Sequence, residues 1–183
     1  MKDFLLNLLR VVWFIIPAGF ANMAAGISGK IWPEFNIPLD FGLKFRGQRV
    51  FGDHKTVRGM VFGVAIGAAV YFIQINLTSV FPILRQVEVN DFGEFKTLSL
   101  LLPFGALTGD AVKSFFKRQL DVAPGKSWFP FDQIDWLLGS MIFSSLIIKL
   151  DFYFGVLVIA VGVVLHIAIK MLGFSLKLQQ EKF

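Results

Sequence analysis

The sequence predicts an all-α integral membrane protein: a bundle of five transmembrane helices with two polar cytoplasmic loops. Three observations predict it. Hydrophobic residues make up 55% of the 183 and charged residues only 17%, against about 25% charged in a typical soluble domain. The mean hydropathy is +0.66. Twenty-two phenylalanines exceed what one modest core can bury, so much of the apolar surface needs lipid as its solvent. The length suits a single domain over residues 1–183. Disorder and disulfide-rich scaffolds are excluded by the same arithmetic. With no cysteine, thiolate metal sites and redox thiols are excluded as well.

The first apolar segment covers roughly residues 4–23, with Arg10 and Pro17 inside it. The apolar run after Arg10 is short for a cleaved signal peptide and holds a proline, so it reads as a retained helix. The second segment covers roughly 58–80, the third 97–112, the fourth 134–150 and the fifth 152–174. A span needs about 20 residues at 1.5 Å each. Segments three and four are short by that measure and must reach the interface with polar ends or thin the bilayer.

Lys and Arg set the orientation. Residues 24–58 hold Lys30, Lys44, Arg46, Arg49, Lys55 and Arg58; residues 113–133 hold Lys113, Lys117, Arg118 and Lys126; the tail adds Lys170, Lys177 and Lys182. Those thirteen lie on one side, against Lys2, Arg10, Arg85, Lys96 and Lys149 on the other. The N-terminus is therefore expected outside, with the C-terminus and both basic loops in the cytoplasm. Between segments two and three, residues 81–96 read as a solvated connector with Glu88, Asp91 and Glu94 near Arg85. Gly59, Gly63 and Gly67 recur every four residues, as do Gly105 and Gly109. Small residues at that spacing allow close helix approach in lipid, and they predict that helices two and three meet near their cytoplasmic ends.

Three polar clusters fall on that side. Continued past residue 112, helix three places Asp110, Lys113, Ser114 and Lys117 on one face, with Arg118 beside them. A solvated interfacial face is the plain alternative, although a carboxylate near a span usually faces a polar cavity. Asp132 and Asp135 share a face at the start of helix four, where they also suit an N-cap and a capping-box acid. In FGDHKTVRG, Phe51 to Gly59, Asp53 or Thr56 can cap helix two while Lys55 and Arg58 anchor it; Asp40, Phe41, Gly42 and Arg46 precede them.

Together these clusters make a workable site for phosphoryl or nucleotidyl transfer to a membrane lipid. Magnesium prefers a few carboxylates plus substrate phosphate oxygens, and Lys and Arg match phosphates. The net charge of +5 suits an anionic substrate or membrane surface; no nucleic-acid partner is expected. Zinc has only His54 and His166 to draw on, and His166, alone in helix five, reads as a packed core histidine. Neither a Ser-His-Asp arrangement nor a P-loop signature is present.

Four stretches carry a resemblance: PAGFANMAA (Pro17 to Ala25), LDFGLKFRGQRVFGDHKTVRG (Leu39 to Gly59), GALTGDAVKSFFKRQL (Gly105 to Leu120) and PGKSWFPFDQIDWLLG (Pro124 to Gly139). The chain resembles the CDP-archaeol synthases, membrane cytidylyltransferases distantly similar to bacterial CDP-diacylglycerol synthases. The resemblance implies that CTP and a lipid phosphate give a CDP-lipid and pyrophosphate with Mg2+. The lipid in archaea would be 2,3-di-O-geranylgeranylglyceryl phosphate. Asp110, Asp132 and Asp135 would then hold Mg2+, and Lys113, Lys117 and Arg118 would bind CTP phosphates or pyrophosphate. Lys55 and Arg58 would hold the lipid phosphate or γ-phosphate, with Asp53 orienting them, and Asn22 would read the cytosine or ribose. Rivals are a CDP-diacylglycerol synthase acting on phosphatidic acid and a non-enzymatic transporter or scaffold. The sequence does not fix the oligomeric state.

Overall fold

A computed structural model describes residues 2–89, 95–123 and 126–175. Asp91, Glu94, Pro124, Lys177 and Lys182 lie outside the described residues. Five α-helices stand among them: α1 (Lys2–Ile31), α2 (Val57–Val80), α3 (Leu98–Gln119), α4 (Phe131–Ser144) and α5 (Phe152–Ser175). A short 3-10 turn, Pro82–Val87, follows α2. The loop between α1 and α2 carries a small antiparallel hairpin, β1 (Lys44–Phe45) with β2 (Gln48–Arg49).

All five helices coincide with the apolar segments, but their bounds moved. α1 runs on to Ile31 and α3 to Gln119, whereas α4 stops at Ser144. Among the described residues, three stretches are long and apolar enough to cross a membrane: Asp3–Ile31, Val57–Val80 and Phe152–Leu172. The last third of α3 is crowded with Asp110, Lys113, Lys117 and Arg118. The 14 residues of α4 rise only about 21 Å.

Two prolines sit inside helices, Pro17 in α1 and Pro103 in α3. Proline lacks an amide hydrogen, so the carbonyl one turn earlier loses its helical donor. For Pro17 that is the Trp13 carbonyl, and buried Gln74 of α2 donates to it at 2.9 Å. In lipid no water could make that bond, so a polar residue in an apolar helix has a structural task. Thr56 caps α2 by accepting from the Gly59 amide at 3.1 Å. At the other end of the bundle, Tyr71 donates to the Phe95 carbonyl ahead of α3, and Arg10 donates to the Gln86 carbonyl.

The glycines set the packing. A Cβ on Gly63 would meet the Ala21 carbonyl and Leu107, and one on Gly67 would meet Pro103 and the Pro17 carbonyl. The glycine face of α2 therefore nests against α1 and the middle of α3. On α3, Gly105 and Gly109 face a different partner: a Cβ there would collide with the backbone of Gly139 and Asp135 in α4. Helices two and three do meet, through Gly63 and Gly67 against Leu107 and Pro103, while the glycines of α3 serve a backbone-to-backbone crossing with α4. Val11, Phe14, Tyr71, Leu98, Leu102, Leu137 and Val158 fill the centre, all fully buried.

Candidate active site

The α3–α4 crossing decides where the charges go. With no side chain at Gly109 or Gly139, the two backbones close up just where Asp110 and Lys113 leave α3 and Asp132 and Asp135 leave α4. The Lys113 ammonium sits among three carboxylates, 3.0 Å from Asp110 Oδ1, 2.8 Å from Asp132 Oδ1 and 2.9 Å from Asp135 Oδ2. Lys55, in the loop just ahead of α2, pairs with the other Asp110 oxygen. Lys117 lies 3.3 Å from Asp132 Oδ1 and donates to the Lys126 carbonyl.

Neither acid of α4 is a helix cap. Pro130 occupies the cap position without a side-chain bond; Asp132 accepts from the Trp128 amide and Asp135 from the Trp136 amide. Their oxygens are otherwise committed to Lys113 and Lys117. The cap alternative fails because the helix begins at Phe131, which moves both acids inside it.

A cavity of about 240 Å³ opens on this cluster, lined by Asn22, Asp110, Lys113, Lys117, Asp132 and Asp135, and by Lys126, Ser127, His166 and Lys170. Asn22 reaches it from well inside α1, because that helix continues to Ile31. The expected core histidine, His166, instead lines the cavity with Lys170 one turn on, and its ring centroid is 6.4 Å from that of Trp136. Helical spacing alone could have paired His166 with Lys170. Only the rotation of α5 against its neighbours shows that they face inward.

Three further candidates are placed elsewhere. The Arg58 guanidinium donates to the Trp32 carbonyl and packs against Gly29, so it closes the C-terminal end of α1. Asp53 is exposed and pairs with Arg49 at 2.6 Å, not with Lys55 or Arg58. The Arg118 stem lies beside Gly52. The loop has another organiser that sequence reading left unassigned, Asp40. Its buried carboxylate accepts from the amides of Gly42, Phe51 and Gly52 at 3.1, 2.9 and 3.0 Å and pairs with Arg49. Burial alone would raise its pKa, but Arg49 and the three amides outweigh burial and hold it well below the usual carboxylate range.

Three carboxylates around one cation form an all-oxygen donor set whose chemistry fits a hard divalent ion. In this structure the Lys113 ammonium stands between the three carboxylates. In this arrangement no three metal-type side chains among the described residues are disposed to hold a metal. Five lysines, Lys55, Lys113, Lys117, Lys126 and Lys170, lie in or beside the cavity with the three acids, so it attracts anions.

A helical bundle long and apolar enough for lipid, with a charged cavity at one end, has the build of an intramembrane enzyme. The solved structure of an intramembrane enzyme for archaeal membrane lipids biosynthesis shares this fold, with a TM-score of 0.70 and 27% identity over 87% of this chain and 92% of that one. The family model described as CarS-like, CDP-archaeol synthase, matches residues 4–183, and the chain belongs to that family. Relatives called CDP-archaeol synthase include one from Thermococcus onnurineus, 39% identical over 79% of each chain. Another, from Pyrococcus furiosus, is 33% identical over 93% of this chain and 95% of its own. A third, from Archaeoglobus fulgidus, is 32% identical over 94% and 96%. The protein is thus a membrane cytidylyltransferase of lipid biosynthesis.

Proposed function

We propose that this chain transfers CMP from CTP to an unsaturated archaeal ether lipid phosphate, giving CDP-archaeol and pyrophosphate with Mg2+. The observation that carries the reading is the meeting of Asp110, Asp132 and Asp135 around Lys113 in a lysine-lined cavity. An oxygen of the lipid phosphate attacks the α-phosphorus of CTP in line; that P–O bond forms as the bond to the leaving pyrophosphate breaks. No covalent enzyme intermediate is required, so the protein's part is positioning and charge neutralisation.

Asp110, Asp132 and Asp135 are the residues that would hold Mg2+, which when bound neutralises charge on the triphosphate. Lys113 and Lys117, with Lys126 and Lys170 on the same walls, meet phosphate oxygens of CTP and stabilise the departing pyrophosphate. Lys55 is paired to the site through Asp110 and is suited to the lipid phosphate or the γ-phosphate. Asn22 offers one amide for the cytosine or ribose. Arg58, Asp53 and Arg118 act through the loop and the end of α1.

The topology belongs to the same proposal: five spans, with the N-terminus outside and the cavity opening to the cytoplasm. The cavity's lysines belong to the side to which the sequence count assigns thirteen of the 18 Lys and Arg. A water-soluble nucleotide enters there and a lipid enters sideways. Asp110→Asn and Asp132→Asn test the site. Each should lower CTP turnover by at least about 100-fold while eluting as folded protein. Near-normal turnover in either removes that residue from the metal site.

A further inference from the structure

The hairpin between α1 and α2 is built as if it had to stay rigid while showing apolar side chains outward. Asp40 ties its base to Arg49 and to three amides, and Gln48 donates to Asp121 at the end of α3, 2.7 Å away. The Val50 amide donates to the Leu43 carbonyl at 3.0 Å. Yet Phe41 is 73% exposed, Leu43 66% and Phe45 48%. A segment held this firmly could have buried these side chains, and an apolar cluster left outside a folded protein marks a surface that something else covers.

Its neighbours say what covers it. Along the outside of α3, Val112, Phe116 and Leu120 recur at four-residue spacing and are all exposed. The Phe116 ring meets Phe115, with centroids 5.5 Å apart, and Phe115 meets Phe45 of the hairpin at 5.8 Å. The outer apolar stripe of a bundle helix therefore continues through three rings into the hairpin without a polar break. Two cations flank it: Lys44, and Arg46, whose guanidinium lies 5.5 Å from the Phe45 ring centroid. Aromatic rings interleaved with Lys and Arg suit the layer where acyl chains give way to phosphates.

We propose that the hairpin over residues 41–49 is an interfacial foot on the bilayer. Phe41, Leu43 and Phe45 enter the boundary between headgroups and acyl chains, and Lys44 and Arg46 pair with lipid phosphates. This requires only that the chain lies in a bilayer and is independent of the reaction proposed above. The foot also fixes the depth of α2, and Lys55, in the same loop, is paired with Asp110 in the cavity.

The chain has no cysteine, so a single introduced thiol reports one position. Leu43→Cys, labelled with an environment-sensitive fluorophore, goes into vesicles of mixed phosphatidylcholine and phosphatidylglycerol. Phe41→Cys serves as a second site should the first fail to insert, and Asp53→Cys as the solvent-facing control. Loss of fluorescence to a quencher carried high on the lipid acyl chain, with little loss to aqueous iodide, is expected at residue 43; the reverse is expected at residue 53. Adding Lys44→Glu and Arg46→Glu should move residue 43 toward the iodide pattern. Iodide quenching at 43 equal to that at 53 would show a solvated loop and overturn the proposal. Protection from both quenchers would also overturn it, pointing to a cover of protein such as a second copy of the chain.

Discussion

Lys113 is the residue on which the site turns. It bridges three acids that would otherwise repel one another a few ångströms apart, with Lys55 and Lys117 adding to the positive charge around them. Lys113→Met should cost about 3 kcal/mol, since three carboxylates lose their shared cation. Thermal unfolding in detergent should also show Mg2+ raising the variant's Tm more than the native protein's. An equal rise in both would count against the carboxylates as a cation site. Asp40 gives a prediction of the opposite kind. Its folded pKa lies below its unfolded value, so the unfolded chain takes up the proton first as pH falls. Its stabilisation of the loop is complete above about pH 3.9 and is lost as pH drops further toward the folded value. Amide exchange over residues 38–53 should show protection that fades on acidification, and Asp40→Asn should lack that step. The sequence made Asp110, Lys113 and Lys117 readable because they share one helix and its period. Arg58 and Asp53 were unreadable, since their partners, the Trp32 carbonyl and Arg49, are chosen by the course of a loop.

At the scale of elements, the crossing of α3 and α4 sets the distance between the two halves of the acid cluster. Gly109→Ala would set a methyl group against the Asp135 carbonyl. The helices must part to accept it, at about 1–3 kcal/mol of overpacking. Because the residue displaced is Asp135 itself, CTP turnover should fall more than stability does. Normal turnover in a folded Gly109→Ala protein would show that the crossing does not position the acids. Four-residue glycine spacing announced a close contact, but not with which helix, because spacing describes one surface and contact needs two. The lengths of α3 and α4 differ from those of the apolar segments for a related reason. Hydropathy follows apolar residues, so it stops short of the charged last turns of α3, which only the period of Asp110, Lys113 and Lys117 carries on. It also counts residues 145–150, which follow α4. Gln74 had no sequence signal at all, for its task is to answer the Trp13 carbonyl left by Pro17 one helix away.

For the whole molecule, composition was sufficient to predict an α-helical membrane protein, because 55% hydrophobic residues leave little choice of solvent. The cavity is a property of the assembled bundle: α1 supplies Asn22, α3 and α4 the acids and central lysines, and α5 contributes His166 and Lys170. No single element shows it, which is why the α5 wall carried no signal in the sequence. The family is carried by motifs spread along the chain, and the match over residues 4–183 spans the same elements. The central claim is that this cavity joins CTP to a lipid phosphate. Purified protein in detergent should be given CTP and Mg2+ with the geranylgeranyl ether phosphate or phosphatidic acid in parallel, and with EDTA in a matched arm. CDP-lipid is expected from the ether phosphate and should be lost with EDTA. Product from phosphatidic acid alone would overturn the lipid, and no product from folded protein with either lipid would overturn the proposed reaction.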